Sequence, residues 1–164
     1  MIGPNHERDR GLTAALTHVL TIGITTILIA MLMMGASAML EAETERSTET
    51  SLETVGERLA GEIDNVDQIA SEDDDSATIV ADHPSSVSNS QYTVELYDDC
   101  ESTDAPLIDD GACLELAAHE VDVTVHVPVA ADEDAIDDSD RVAGGSIEIS
   151  TDSNGEISIT EADR

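Results

Sequence analysis

Thirty consecutive residues, from 11 to 40, contain no Asp, Glu, Lys or Arg, and this stretch constrains the fold more than any other feature. As a helix it would be about 45 Å long at 1.5 Å per residue, whereas the hydrocarbon core of a bilayer is about 30 Å thick. The stretch has no proline, and its densest apolar part covers residues 19–40. The sequence therefore predicts a transmembrane helix over residues 12–40, preceded by a short tail of residues 1–11.

The charges that flank this stretch predict its orientation. Two arginines precede it and three glutamates follow it: Arg8, Arg10, Glu41, Glu43 and Glu45. Because positively charged flanks are retained in the cytoplasm, we expect residues 1–11 inside the cell. The chain is then a single-pass protein of the cell membrane, with everything after residue 40 outside. A cleaved secretory signal is the alternative, since residues 36–38 read Ala-Ser-Ala, but the apolar region of such a signal has only about 7–15 residues.

The acidity of the chain is confined to the part expected outside. The sequence has 37 Asp and Glu against 6 Arg and no Lys, a net charge of −31. Only two of the acids and two of the arginines lie in residues 1–40, so residues 41–164 carry the whole excess. This composition resembles that of halophilic archaeal proteins, because concentrated salt screens self-repulsion over a Debye length of about 3 Å at 1 M. Six scattered arginines form no basic patch, which argues against nucleic-acid binding.

Hydrophobic periodicity divides the rest of the chain into one helix and several strands. Apolar residues spaced three or four apart predict that the helix continues as an amphipathic segment over residues 41–70: Leu52, Val55, Leu59, Ile63, Val66 and Ile69. We expect the acidic run 71–76 to end it as a solvated loop. Beyond this run the period changes to two, which predicts strands over residues 77–81, 91–97, 113–117, 120–129, 146–151 and 156–160.

These elements predict an α+β fold in which the amphipathic helix covers the apolar face of a small antiparallel sheet. Asn154-Gly155, between the last two strands, is a strong hairpin signal. The fold is thus a long transmembrane and amphipathic helix packed on an acidic, β-rich extracellular domain over residues 71–164. The only aromatic residues are Tyr92 and Tyr97, so the core is expected to be aliphatic and small.

The two cysteines, Cys100 and Cys113, enclose a polar loop in the part expected outside the cell, where disulfides persist. We interpret them as a structural disulfide. A crosslink over about 13 residues contributes on the order of 3 kcal/mol in the chain-entropy model. Free thiols or a redox role are the alternatives.

No catalytic, cofactor or metal motif is evident. The sequence lacks G-x-S-x-G, H-E-x-x-H, C-x-x-C, the phosphate-binding loop and G-x-G-x-x-G, so we expect no enzyme and no cofactor. His119 and His126 with Asp122 are conceivable metal ligands, but solvated surface histidines are the simpler interpretation. His18 lies in the apolar stretch, where an ionisable residue is a functional candidate by default. The acidic loop 132–140 fails the EF-hand pattern, and a loose cation site there is the alternative to a solvated loop.

One arrangement carries a resemblance to a known family. A short tail ending in Asp9-Arg10-Gly11 leads directly into a long apolar helix, an amphipathic half and a β-rich head. This resembles archaeal type IV pilin-like proteins, specifically the small haloarchaeal pilin-like membrane proteins of unknown role. The motif covers about residues 8–40, and the architecture covers the whole chain. The resemblance implies that a prepilin peptidase cuts between Gly11 and Leu12, with Arg10 and Gly11 as recognition residues.

Two departures from the family pattern bear on filament assembly. Leu16 stands where bacterial pilins carry a glutamate, and Leu12-Thr13 replaces the residues that commonly follow the cut in archaeal major pilins. The apolar helix nevertheless contains small residues of the kind that let helices approach closely, among them Gly23, Thr26, Ala30, Gly35 and Ala38. An ordinary membrane anchor rich in small residues is the alternative.

The sequence thus supports two functional hypotheses. The first is a non-enzymatic pilin-like subunit or accessory of an archaeal surface filament or related envelope machine, with the membrane, other pilin-like subunits and a prepilin peptidase as partners. The second is an uncleaved single-pass protein whose acidic ectodomain binds an envelope partner or cations. The N-terminus of the mature protein discriminates between them.

Overall fold

The structure, a computed structural model, describes residues 5–73, 76–100, 103, 111–131, 133–137 and 141–162, with only the backbone described for residues 5–14, 72, 73 and 133. The chain divides into two compact units, Met1–Glu43 and Thr44–Arg164. The described residues form one long α-helix, eight β-strands and a short 3₁₀ helix, Glu133–Ala135. This is the predicted α+β architecture.

Helix α1 spans Asn5–Asp73, and its 69 residues contain no proline. The prediction that it ends near Ala70 is three residues short, since the helix continues into the acidic run. Acidic residues at a helix C-terminus are unfavourable for the macrodipole, and the last turn has no basic residue to compensate. The helix extends through this turn despite its unfavourable charges.

The amphipathic part of α1 buries its apolar stripe as predicted, except at its last position. Five side chains of the stripe are 0–6% exposed: Leu52, Val55, Leu59, Ile63 and Val66. Ile69 is 49% exposed, so the prediction that it belongs to the buried stripe is wrong. Full burial of one such aliphatic side chain is worth about 1.5–3 kcal/mol. The five together therefore contribute a large share of the apolar burial that holds the helix against the sheets.

The strands form two antiparallel sheets. They are β1 Thr78–Asp82, β2 Ser86–Val87, β3 Ser90–Tyr97, β4 Cys113–Ala118, β5 Thr124–Pro128, β6 Val142–Ala143, β7 Ser146–Thr151 and β8 Ile157–Glu161. The smaller sheet has the order β1-β7-β8, and the larger has the order β2-β3-β4-β5 with β6 also paired to β3. Inward residues of both sheets join the helix stripe in one cluster of buried aliphatic side chains around a single tyrosine, Tyr92.

All six predicted strands exist, but the fourth is shorter than expected. The alternation over residues 120–129 predicted one strand, whereas β5 begins at Thr124. Ala117 pairs with Thr124, so the connection to β4 must occupy the residues between them. Glu120 lies in this connection and accepts hydrogen bonds from the Ser90 hydroxyl (2.6 Å) and the Gln91 amide (2.8 Å), which lower its pKa. Its carboxylate thereby fixes the turn to the start of β3.

The hairpin signal at Asn154-Gly155 correctly places a turn between β7 and β8, but the loop is longer than two residues. Thr151 pairs with Ile157, which leaves five residues in the loop. The amides of Glu156 (2.9 Å) and Asn154 (2.7 Å) donate to the Asp152 carboxylate and hold its pKa below the usual range. Gly155 has φ of +84°, a conformation that favours glycine.

Two glycines are required by close packing. A Cβ atom on Gly56 would lie 2.6 Å from Val127 Cγ2 and 2.9 Å from Leu116 Cδ1, so α1 approaches β4 and β5 at this point. A Cβ atom on Gly144 would lie 2.4 Å from the ring of Tyr92. The Gly144-Gly145 pair, which alone suggests only a turn, therefore also makes room for the largest side chain of the core.

We predict opposite effects for alanine at two glycines of the same helix. Gly56→Ala should destabilise the protein by about 1–2 kcal/mol, because overpacking against Val127 and Leu116 outweighs the gain in helix propensity. Gly61→Ala is the matched control, since nothing lies within 4 Å of the added atom, and it should stabilise by up to about 1 kcal/mol. Chemical unfolding of the full chain in detergent measures both. Stabilisation by Gly56→Ala would contradict the packing.

Tyr92 predicts a loss of stability at alkaline pH. Its side chain is 1% exposed, its hydroxyl donates to the Pro84 carbonyl (2.6 Å), and burial raises its pKa to about 12. An unfolded tyrosine loses its proton near pH 10. Between pH 10 and 12 the folded chain holds more protons than the unfolded chain, so stability falls as pH rises, by at most about 1.4 kcal/mol per pH unit.

The measurement is the free energy of unfolding at several pH values across this window, for the wild type and for Tyr92→Phe. The variant loses one hydrogen bond at every pH, but its stability should decline less steeply above pH 10. Equal slopes for the two proteins would refute the assignment. Absorbance of tyrosinate in the wild type and the variant identifies which tyrosine titrates late.

Candidate functional site

The most prominent candidate surface is the uncovered apolar segment of α1 within the unit Met1–Glu43. By length and composition α1 holds one segment able to cross a membrane, and none of that segment is buried. Its large hydrophobic side chains from Leu16 to Leu40 are 51–76% exposed. So large a contiguous apolar surface is typical of contact with lipid or with other apolar helices.

Four hydroxyl groups of this segment are satisfied within the helix. Thr21, Thr25, Thr26 and Ser37 each donate to the carbonyl four residues earlier, at 2.7–3.1 Å. In hydrocarbon an unsatisfied polar group costs several kcal/mol. These back-bonds remove that cost, so the segment is compatible with an apolar environment despite its hydroxyls.

The small residues predicted to support helix packing lie on two sides of the helix. At 100° per residue, Gly23, Thr26 and Ala30 fall within about 60° of one another. Gly35 is rotated by about 140° from Ala30, and Ala38 lies between them, about 60° from Gly35 and about 80° from Ala30. An added Cβ atom at Gly23 or Gly35 would meet nothing within 4 Å. The helix thus offers small residues over a broad sector, open to a neighbour at Gly23 and Gly35, in place of one narrow stripe.

The predicted processing residues, Arg10, Gly11 and Leu12, belong to the first part of α1. Their side chains lie outside the described part of the structure. Cleavage between Gly11 and Leu12 therefore stays a prediction.

The predicted disulfide is present. Cys100 and Cys113 are bonded, with their Cα atoms 5.8 Å apart, and both side chains are fully buried. Cys113 is the first residue of β4, and the Cys100 amide donates to the Gly111 carbonyl at 3.0 Å. The bond closes the chain between β3 and β4, where it contributes on the order of 3 kcal/mol by restricting the unfolded state.

A row of four charged residues crosses the larger sheet on the face that points away from its aliphatic side. Strand pairing places Glu95 opposite Glu115, and Glu115 opposite His126. Arg141 binds Glu95 through Nε (2.9 Å) and Nη2 (2.6 Å), and His126 Nε2 lies 3.3 Å from Glu115 Oε2. The two glutamates face each other, which is a destabilising arrangement for like charges. The Arg141 guanidinium offsets it beside Glu95, and a hydrogen bond joins His126 to Glu115 on the other side.

In this geometry the side chains of the row are paired with one another, so we interpret the row as structural. Burial, with the charges of Glu115 and Glu95 close by, raises the pKa of Tyr97, which follows Glu95 by two residues on β3. A hydrogen bond from Arg141 to Glu95 raises the pKa of the guanidinium in turn. Among the residues that the structure describes, no group of three or more His, Cys, Asp or Glu is arranged to hold a metal ion. His126 is engaged by Glu115 and not by His119 or Asp122, which were its conceivable metal-ligand partners.

A groove of about 390 Å³ lies between the amphipathic part of α1 and a segment that consists of β2 and the loop before it. The helix side consists of residues between Thr50 and Arg58, and the loop side of residues between Pro84 and Val87. Val55 and Val87 supply apolar surface, and Arg58 is the only charged residue among the described ones that line the groove. A site with this lining suits a carboxylate carried on an aliphatic stem.

Two side-chain contacts join α1 to the loops on either side of β2, next to this groove. Ser47 Oγ lies 3.1 Å from Ser88 Oγ, and Glu62 Oε2 lies 3.0 Å from His83 Nε2. Ser88 and Asn89 have φ of 46° and 69°, the left-handed conformations of a tight two-residue hairpin. The His83 side chain is fully buried, and its Nδ1 finds no partner in the described part of the chain.

Sequence reasoning missed both the charged row and the groove. The row had a usable signal, because Glu95, Glu115 and His126 occupy the polar positions of predicted strands. Their alignment depends on the register, which the sequence does not reveal. No sequence pattern could have predicted the groove, because β2 has only two residues and therefore no hydrophobic periodicity.

Comparison with known proteins identifies a family. The sequence matches the family described as "Family of unknown function (DUF7266)" over residues 7–160. No curated protein and no solved structure matches the chain significantly. The match includes both the apolar segment and the β-rich unit.

Proposed function

The chain belongs to the family DUF7266, and we propose that it is a non-enzymatic, membrane-anchored pilin-like subunit or accessory protein of an archaeal surface filament or a related envelope machine. One observation carries this proposal. A single helix, α1, supplies an uncovered apolar segment in one unit and the buried stripe of the other. A helix with one exposed apolar segment and one buried stripe suits a chain that is held in the membrane and presents its β-rich unit outside.

The flanking charges support the orientation. Arg8 and Arg10 precede the apolar segment, and the acidic excess follows it. We infer that the N-terminus is cytoplasmic and that the β-rich unit is extracellular. The buried disulfide between Cys100 and Cys113 agrees with this orientation, since disulfides persist outside the reducing cytoplasm.

We test this proposal at the N-terminus of the native protein. Membrane fractions are extracted and the N-terminal peptide is mapped by mass spectrometry. We expect a membrane-bound chain that starts at Leu12. Arg10→Gln should abolish this processing, whereas the control variant Arg8→Gln should still be cut, because only Arg10 adjoins Gly11.

Each result decides between the hypotheses. A membrane-bound chain that retains residues 1–11 would favour the uncleaved single-pass protein whose acidic ectodomain binds an envelope partner or cations. Recovery of the chain as an unassembled soluble protein, outside both the membrane and any filament and whether cut or not, would overturn the anchoring itself.

We also propose that the protein works in concentrated salt. Residues 41–164 hold 35 acidic residues and four arginines, and no lysine. Of the three ion pairs within the described residues, two use histidine, so little of the acidic charge is neutralised internally.

The prediction is that stability rises steeply with salt. Raising the ionic strength from about 0.1 M to about 1 M shortens the Debye length from about 10 Å to about 3 Å and screens the repulsion. The midpoint of thermal unfolding of the full chain in non-ionic detergent should increase over this range with NaCl and with KCl alike. A midpoint that does not change with salt would contradict the halophilic interpretation.

A further inference from the structure

Four glutamates form a ridge on the exposed side of α1 within the unit Thr44–Arg164. They recur at every fourth residue, and all four are exposed: Glu45, Glu49, Glu53 and Glu57. None of them forms an ion pair within the described part of the chain. Because like charges at this spacing destabilise a helix, the acidic ridge is unfavourable for the isolated chain unless a cationic group approaches it.

The groove described above supplies such a group. Arg58 is exposed, and among the described residues it makes neither an ion pair nor a hydrogen bond. The other two arginines with described side chains are Arg141, which is bound to Glu95, and Arg46, which does not line the groove. The apolar surface beside Arg58 can accept the aliphatic stem of a glutamate.

The acidic ridge and the groove lie on different flanks of one helix. At 100° per residue, Arg58 is rotated by about 140° from Glu53 and by about 180° from Glu49. One copy therefore cannot bring its own ridge into its own groove. Two copies can, because the ridge and the groove overlap along the helix, at residues 45–57 and 50–58.

We propose that the Arg58 groove of one copy receives the acidic ridge of a second copy of this chain. The inference rests on the proposed membrane anchoring, because anchored copies leave the membrane at the same residue and run in the same direction. Their ridges and grooves then face each other at similar heights. Charge complementarity selects this occupant, since Arg58 is the one charged residue among the described ones that line the groove and the ridge is the nearest regular array of carboxylates on the same helix.

This contact is heterologous, because each copy uses one flank as donor and another as acceptor. A contact of this kind does not saturate in a dimer. It generates a closed ring if the rotation between copies closes, and an open helical array if it does not. The proposed contact would thus let anchored copies add laterally beyond a dimer, into a ring or an open array.

The test is site-specific crosslinking in native membranes. The described part of the chain has no free cysteine, so a short bis-maleimide reacts at introduced cysteines. Two differently tagged variants are expressed together, Thr54→Cys at the groove and Glu49→Cys on the ridge. We expect a crosslink that joins the two tags. The control partner is Asn65→Cys, which is exposed on the same helix beyond both surfaces and should give at most one fifth of the yield.

Charge reversal separates a specific contact from simple crowding. Arg58→Glu and Glu53→Arg, each introduced into both tagged chains, should lower the crosslink yield about fivefold, the factor expected for a lost surface ion pair of about 1 kcal/mol. Both reversals together in every chain should restore it, because each interface then regains one opposite pair. Arg46→Glu is the matched control, with the same charge change outside the groove.

Fractionation of the same samples separates the two proposals. A membrane-bound chain without the Thr54–Glu49 crosslink, or with a yield equal to that of the Asn65 control, overturns this inference and leaves the anchoring intact. A crosslink that ignores the charge reversals also overturns it. A chain that is recovered only as an unassembled soluble protein, outside both the membrane and any filament, overturns both proposals.

Discussion

The burial of the aliphatic stripe of α1 is the interaction on which the rest of the structure depends. The two sheets have three and five strands, and the described strands form no ladder between the two sheets. Small sheets of this kind need a cover for their apolar face. Leu52, Leu59 and Ile63 supply it, and the close approach at Gly56 brings the helix onto β4 and β5. Without the stripe, neither sheet would have a complete core.

The sequence was informative wherever a single element determines the outcome. The absence of charge over residues 11–40, the stripe from Leu52 to Val66 and the alternation in β3, β4, β7 and β8 are local patterns. They predicted these strands to within one residue and the end of α1 to within three, but α1 begins at Asn5, seven residues before the predicted start at residue 12. Proximity of Cys100 and Cys113 in the chain likewise predicted their bond. In each case the relevant residues are neighbours in sequence, so their spacing is visible.

The misses share a different cause, since they depend on contacts between distant residues. β5 was predicted too long because Val121 and Val123 continue its alternation, while the turn is set by Glu120 binding to Ser90 and Gln91. Gly144 looked like part of a turn because Tyr92 lies 52 positions away. The groove combines α1 with a two-residue strand, and its charge character depends on which arginine lacks an internal partner. None of these contacts produces a periodic pattern in the sequence.

The order of the strands has a consequence for how the chain reaches its native state. β1 pairs with β7 between Thr78 and Ser150 and between Asp82 and Ser146, so the partners are 64–72 residues apart and the whole larger sheet lies between them in sequence. Closing so long a loop is entropically costly, and pairings of this kind form late and slowly. During synthesis, β1 therefore stays without its partner strand until almost the entire chain has emerged, although α1 is already complete. Formation of the smaller sheet is thus the last step, and a chain interrupted before residue 146 retains β1 without its partner strand.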